Sequence, residues 1–187
     1  MKRWSLLLLI GLLGACAGSP PRETPAYNLE LMQRQAMPEA WLLEGRLAAA
    51  KGKDAVSLFV TWRHDAARDE ISLSGPLSQG MQTIVSEAGK VVVDDGNSRR
   101  EYAADLDAVA AAELGVAAPL SALRYWVCGV TVPDIAYALL DDGFTQLDWV
   151  VRFTDSQAVA ERWLPRKMTL QQDSVKLKFV VDRWMLW

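Results

Sequence analysis

The stretch AVSLFVTWR, residues 55–63, decides the fold because its side chains alternate between apolar and polar. Every second residue from Val56 to Trp62 is large and apolar, and Ser57, Thr61 and Arg63 fall on the other face. Successive side chains of a β-strand point to opposite faces of the sheet. The stretch therefore predicts a strand with one face in a core and the other face in solvent.

The same alternation recurs along most of the chain. It marks EISLSG (70–75), GMQTIVSE (80–87), KVVVDD (90–95), FTQLDWVVRF (144–153), KMTLQQ (167–172) and SVKLKFVVDRW (174–184). In FTQLDWVVRF the period places Leu147, Trp149 and Val151 on the apolar side, opposite Gln146 and Asp148. Short connections between such strands favour antiparallel neighbours. The pattern predicts a long antiparallel sheet.

Two apolar helical segments interrupt the strands. DLDAVAAAELG (105–115) has Asp105 as its N-cap and Gly115 as its stop. PLSALRYWVCG (119–129) starts at Pro119, a favoured first-turn residue, and ends at Gly129. A sheet with two apolar helices in mid-chain suggests a curved sheet or incomplete barrel whose mouth the helices cover. Periodicity alone leaves open whether the interior is packed or hollow.

The N-terminus, MKRWSLLLLIGLLGAC (1–16), has the pattern of a secretory signal. Lys2 and Arg3 precede an apolar run that is shorter than the roughly 20 residues a membrane-spanning helix needs. The residues before Cys16 resemble a bacterial lipobox, which implies removal of residues 1–15 and acylation of the cysteine. Ordinary signal cleavage after Ala15, with the cysteine incidental, is the alternative.

The mature chain predicted in this way has two parts. Residues 16–27 are rich in Pro, Ser and Gly and are expected to form a lipidated, flexible tether. Residues 28–187 are expected to form one domain, beginning with a short helix over 29–36.

Loss of Lys2 and Arg3 leaves 18 basic and 23 acidic residues in the predicted mature chain, a net charge of −5. That balance argues against nucleic-acid binding. Ala17 after the cysteine fits sorting to the outer membrane.

The sequence shows no pattern typical of an enzyme. It holds one histidine, His64, in a segment expected to be a charged loop, and no Gly-rich phosphate loop or G-x-S-x-G motif. One histidine and one spare cysteine cannot supply a zinc site, so no metal or cofactor is expected. Cys128 lies in an apolar setting, where a buried inert thiol is favoured over a reactive one. The pairs at 94–95 and 141–142 are interpreted as hairpin turns rather than calcium ligands.

Several segments together resemble the LolB family of outer-membrane lipoproteins. They are the lipobox, WLLEGRLA (41–48), SLFVTW (57–62), ISLSGPLSQG (71–80), PLSALRYWVCGVTVP (119–133) and LPRKMTL (164–170). The resemblance implies an unclosed antiparallel β-barrel with an α-helical lid over an apolar cavity. It also implies a receptor that takes acylated client lipoproteins from the periplasmic carrier LolA and inserts them into the outer-membrane bilayer. The transfer it implies takes place without nucleotide hydrolysis.

The resemblance assigns roles to particular positions. Leu77, after Pro76, matches a protruding aliphatic residue that delivers the client to the membrane; a leucine folded back on its own hairpin is the alternative. The candidate lining of the acyl cavity consists of apolar-face residues: Leu58, Trp62, Leu73, Leu123, Trp126, Leu147, Trp149, Leu177 and Phe179. A monomer, anchored through Cys16 on the periplasmic face of the outer membrane, is expected. The competing hypothesis is a structural or assembly-factor lipoprotein with a packed β-core.

Overall fold

The computed structural model describes residues 29–76, 80–114 and 118–187. In order, they form α1 (Leu29–Arg34), β1 (Ala40–Lys51), β2 (Asp54–Asp65), β3 (Arg68–Ser74), β4 (Gln82–Glu87), β5 (Lys90–Asp94), β6 (Arg99–Tyr102), α2 (Leu106–Leu114), α3 (Leu120–Trp126), β7 (Tyr137–Leu140), β8 (Gly143–Gln146), β9 (Trp149–Val159), β10 (Arg162–Gln172) and β11 (Val175–Leu186). The predicted signal, the predicted tether and Leu77 lie outside the described residues. Within the three described ranges, no helix has the length and apolar character needed to span a bilayer.

All the strands belong to one antiparallel sheet that does not close into a barrel. The strand order is β6-β5-β4-β3-β2-β1-β11-β10-β9-β8-β7, so two meanders join where β1 pairs with β11. Strands β6 and β7 form the two ends of the sheet. The predicted unclosed antiparallel sheet with helices is therefore confirmed.

The alternation of apolar and polar residues matches the two faces of the sheet. On β2 and β3 the residues Val60, Trp62, Ile71 and Leu73 are buried, whereas Arg63 is exposed. The inner face of the sheet therefore carries the core, as the period of two predicts. Strand β1 needs a glycine at its bulge beside β11, because a Cβ on Gly45 would lie 2.3 Å from the carbonyl oxygen of Val180.

The helices α2 and α3 pack against each other. The carboxylate of Asp105 accepts the Asp107 N–H at 2.7 Å and so caps α2, as predicted. Asp107 in turn accepts the backbone N–H of Ser121 at 2.8 Å and also the Ser121 hydroxyl, which ties α2 to the first turn of α3. After α3, Gly129 adopts a φ of +83° and ends the segment where the sequence predicted.

The structure corrects the prediction for FTQLDWVVRF. This segment is two strands, β8 and β9, joined by a tight turn in which Leu147 and Asp148 both have positive φ. Because the turn reverses the chain, Gln146 pairs with Trp149 and shares its inner face. Gln146 is consequently buried, whereas Leu147 is exposed, the reverse of the prediction.

A second correction concerns His64. The predicted charged loop is the continuation of β2, which runs to Asp65 before a two-residue turn leads into β3. His64 is only 6% exposed and faces inward. The pairs at 94–95 and 141–142 do lie at hairpin turns, between β5 and β6 and between β7 and β8, as predicted.

Candidate functional site: an apolar cavity beneath helix α3

An apolar cavity lies between α3 and the inner face of β1, β2, β3 and β11. Its volume is about 70 Å³, and every residue of its wall is apolar: Leu47, Ala49, Val56, Leu58, Val60, Trp62, Ile71, Leu73, Ala118, Leu120, Leu123, Leu177 and Phe179. Sites that enclose drug-sized ligands measure about 300–1,000 Å³. The cavity in this structure is thus too small for a long alkyl chain.

The sheet register places the wall residues beside one another. Leu47 of β1 lies opposite Leu58 of β2 and Phe179 of β11, and Ala49 lies opposite Leu177. Residues directly opposite across neighbouring strands project from the same face. The four strands therefore supply a continuous apolar floor, and Leu120 and Leu123 of α3 cover it from the other side.

Six of the nine predicted lining residues are in this wall: Leu58, Trp62, Leu73, Leu123, Leu177 and Phe179. Trp126 and Trp149 are buried elsewhere, 6.3 Å apart between ring centroids, in a cluster with Phe144. Leu147 is 43% exposed in the β8–β9 turn and lines no part of this cavity. The packing of the interior therefore differs between the two halves of the sheet. Aromatic side chains fill the β7–β10 half, and the cavity lies in the β1–β3 half.

A second aromatic cluster surrounds Trp41. Its ring centroid lies 5.4 Å from the ring centroids of both Trp62 and Trp184 and 5.3 Å from that of His64. Trp62 belongs both to this cluster and to the cavity wall. Aromatic rings bury large areas with few rotatable bonds, so the cluster gives that end of the cavity a rigid wall.

A buried carboxylate links α3 to the sheet. Asp69 Oδ1 accepts the Trp62 Nε1–H at 2.9 Å and lies 2.9 Å from His64 Nδ1. Asp69 Oδ2 accepts Arg124 Nη1–H from α3 at 3.1 Å. A carboxylate can only accept, so Nδ1 of His64 carries the proton of that hydrogen bond. We call these four residues the Asp69 latch, since they fasten the helix over the cavity to strands β2 and β3.

The side chain of Gln146 fastens the far end of α3. Its Oε1 accepts the Trp126 Nε1–H and the Val132 N–H, each at 2.9 Å. Its Nε2 donates to the carbonyl oxygens of Val132 and Ile135, each at 3.0 Å. All four hydrogen-bonding positions of the amide are thereby used. This buried side chain ties the segment that follows α3 to β8.

Sequence reasoning missed the latch and the amide. Asp69, Arg124 and Gln146 stand in segments whose other charged and polar residues are half-buried, and nothing in the residue types sets these three apart. Only Asp69 could have been found from the sequence. It precedes Ile71 by two residues in a strand, and residues two apart in a strand lie on the same face, so Asp69 is expected to point inward with Ile71.

Two observations bear on reactive chemistry, the surroundings of Cys128 and the spacing of potential metal ligands. Cys128 is buried, and burial raises the pKa of its thiol, as expected for an inert structural cysteine. In the part of the chain that the structure describes, no three His, Cys, Asp or Glu side chains come close enough to hold a metal ion.

A family model described as "Outer membrane lipoprotein LolB" matches residues 39–184. The chain belongs to the LolB family. The matched range begins just before β1 and ends within β11, so it includes strands β1 to β10, most of β11, both mid-chain helices and every residue of the cavity wall. The LolB match is thus to the complete architecture that forms the cavity.

Curated relatives named outer-membrane lipoprotein LolB match the chain along almost all of its length. The relative from Chromohalobacter salexigens is 26% identical over 194 residues, covering 98% of this chain and 90% of that protein. The relative from Thiobacillus denitrificans is 28% identical, covering 98% of each chain. The relative from Pseudomonas putida (strain W619) is 29% identical, covering 94% of this chain and 92% of that protein.

Proposed function

We propose that this protein is an outer-membrane lipoprotein that receives other lipoproteins. It accepts acylated clients from the periplasmic carrier LolA, holds their acyl chains in the cavity beneath α3, and inserts them into the outer membrane. It acts as a monomer, anchored on the periplasmic face of that membrane through a lipidated Cys16. Family membership and the names of the relatives support the location and the general role.

The observation that carries the proposal is a cavity with an entirely apolar wall under a helix. Burying an alkyl chain contributes about 0.8 kcal/mol for each CH₂ removed from water. A 16-carbon chain could therefore contribute about 12 kcal/mol, enough to open a lid held mainly by packing and by the latch. We infer that the 70 Å³ cavity belongs to the closed, empty state and that α3 moves away when a client enters.

Transfer without a nucleotide motor must run downhill in free energy. The chain shows no phosphate-binding loop, and the proposed cavity offers burial but no covalent chemistry. Clients would move from the carrier because their acyl chains are better buried here, and onward because the bilayer buries them better still.

The direct test mixes the lipidated mature chain, in nanodiscs, with carrier that holds a radiolabelled lipoprotein, in the absence of ATP. We expect the label to leave the carrier and to appear with the nanodiscs. Label that remains on the carrier over hours would show that the proposal is wrong.

The delivery step has a separate prediction. Replacing Leu77 with Glu should leave acceptance from the carrier unchanged and slow transfer to the bilayer at least tenfold, because a charged side chain does not enter lipid. The two steps are measured separately with a soluble Cys16→Ala chain, first for acceptance and then after vesicles are added. Loss of both steps to the same extent would contradict a role for Leu77 in delivery.

The small cavity volume favours one competing function, a structural or assembly-factor lipoprotein with a packed interior. A fluorescent fatty acid discriminates between the two. Blue-shifted, saturable emission supports the receptor, whereas emission unchanged from that in buffer supports the packed structural protein.

A further inference from the structure

The end of the sheet formed by β7 carries an exposed apolar surface. Ile135, Tyr137, Leu139 and Leu147 are 37%, 45%, 61% and 43% exposed, and we call these four residues the edge patch. Single exposed apolar side chains are common on soluble proteins, but a contiguous group marks a surface that is covered by another molecule. Strands at the end of a sheet are also the usual place where another chain adds.

The edge patch continues the interior rather than the outer surface of the sheet. Tyr137 lies opposite Gln146, and Leu139 lies opposite Phe144. Gln146 and Phe144 are buried on the inner face, and directly opposite residues share a face. Tyr137 and Leu139 therefore extend the apolar inner face past the aromatic cluster to the open end of the sheet.

Leu147 occupies its place against its own conformational preference. It has a φ of +53° in a two-residue turn whose second residue, Asp148, has a φ of +62°. Such turns favour Asn and Gly, and a left-handed conformation costs other residues roughly 1–2 kcal/mol. Leu147 carries this conformational cost and also exposes apolar surface to water. Burial of Leu147 against a partner would offset both unfavourable contributions.

Acidic residues flank the edge patch along the chain, next to Ile135, at the end of β7 and next to Leu147. Asp134, Asp141 and Asp148 are exposed, and across the described ranges none of them forms an ion pair with a basic side chain. Anionic lipid headgroups would be repelled by this rim. A protein surface with apolar residues at its centre and lysine or arginine at its edge would complement both the apolar side chains of the patch and the acidic side chains beside them.

We propose that the edge patch is the docking surface for the protein that delivers the client. This proposal rests on the proposed function, in which that protein is the periplasmic carrier. The carrier packs an apolar surface on Tyr137, Leu139 and Leu147, with basic residues facing the acidic rim.

Leu139→Glu tests the docking surface, and Phe59→Glu is its matched control. Leu139 is 61% exposed on the inner face of β7, and Phe59 is 53% exposed on the outer face of β2. We expect Leu139→Glu to weaken binding of empty carrier to the lipidated chain in nanodiscs at least tenfold and to slow client acceptance equally. Phe59→Glu should leave both unchanged. Binding of a fluorescent fatty acid should be unchanged in both variants.

The outcomes separate the two proposals. If wild-type chain accepts clients and Leu139→Glu does so equally well, the docking surface is wrong and the proposed function stands. If wild-type chain neither binds nor unloads the carrier, both proposals fall. If Leu139→Glu instead abolishes self-association in sedimentation runs and leaves carrier binding intact, the patch joins two copies of this chain and the proposal is overturned.

Discussion

Replacing Asp69 with Leu is expected to lower the free energy of unfolding by about 3–5 kcal/mol. Asp69 is 3% exposed, and its carboxylate bonds to Trp62, His64 and Arg124 at once. The Arg124 side chain is 29% exposed and can turn to solvent, but Trp62 and His64 are buried and would keep unpaired N–H groups. Urea denaturation followed by tryptophan fluorescence measures the change.

The matched control for this variant is Asp182→Leu. Asp182 also binds an arginine, Arg46, at 2.9 Å, but both side chains are more than half exposed. Surface pairs of this kind contribute about 0–1 kcal/mol. Equal effects of the two substitutions would show that burial of Asp69 has no part in holding α3 to the sheet.

The Asp69 latch also makes a prediction about motion. Arg124→Leu removes the only latch residue that belongs to α3. Its α3 amides should exchange with deuterium faster than in the wild type, while amides of β9 and β10 should not change. This readout separates a loosened lid from a general loss of stability.

Replacing Gln146 with Leu is expected to lower the free energy of unfolding by about 2–4 kcal/mol. The substitution leaves the Trp126 Nε1–H and the Val132 N–H without their acceptor in a buried site. The carbonyl of Ile135 is in an exposed residue and can turn to water, so it adds little. Thermal unfolding and the near-ultraviolet signal of Trp126 both report the loss.

Gln171→Leu provides the control for Gln146→Leu. Gln171 is exposed on β10, and its replacement by leucine should change stability by less than about 0.5 kcal/mol. If Gln146→Leu also changed the free energy of unfolding by so little, the conclusion that the Gln146 amide fastens the segment after α3 to the sheet would be contradicted.

Much of the sheet could be predicted because burial follows a local rule. Strand β3, most of β11 and the second half of β2 alternate between buried residues and residues that are half-buried or exposed, and this period is visible within a single strand. The rule failed at Leu147, where a turn without Asn or Gly reverses the chain inside what looks like one strand. A two-residue turn exchanges the faces on either side of it, so Gln146 moved inward and Leu147 outward.

Less of the candidate site than of the sheet could be predicted from the sequence. Which apolar residues border a void and which fill the core depends on packing between strands far apart in the chain. Trp126 and Trp149 meet each other and leave no space, whereas Leu58 and Leu177 face a gap beneath α3. The Asp69 latch likewise joins residues 55 positions apart, a relation that no local pattern encodes.

The central claim is that acyl chains enter the space beneath α3, and photolabelling tests it most directly. A triacylated lipopeptide with a diazirine at the end of one chain is loaded into the lipidated protein and irradiated, and labelled peptides are identified by mass spectrometry. The account predicts label on β1–β3, β11 and α3. It also predicts loss of that label in Ala49→Leu, which fills the cavity, but not in Ala48→Leu on the opposite face of β1. Label confined to the outer face of the sheet, or equal label in both variants, would contradict it.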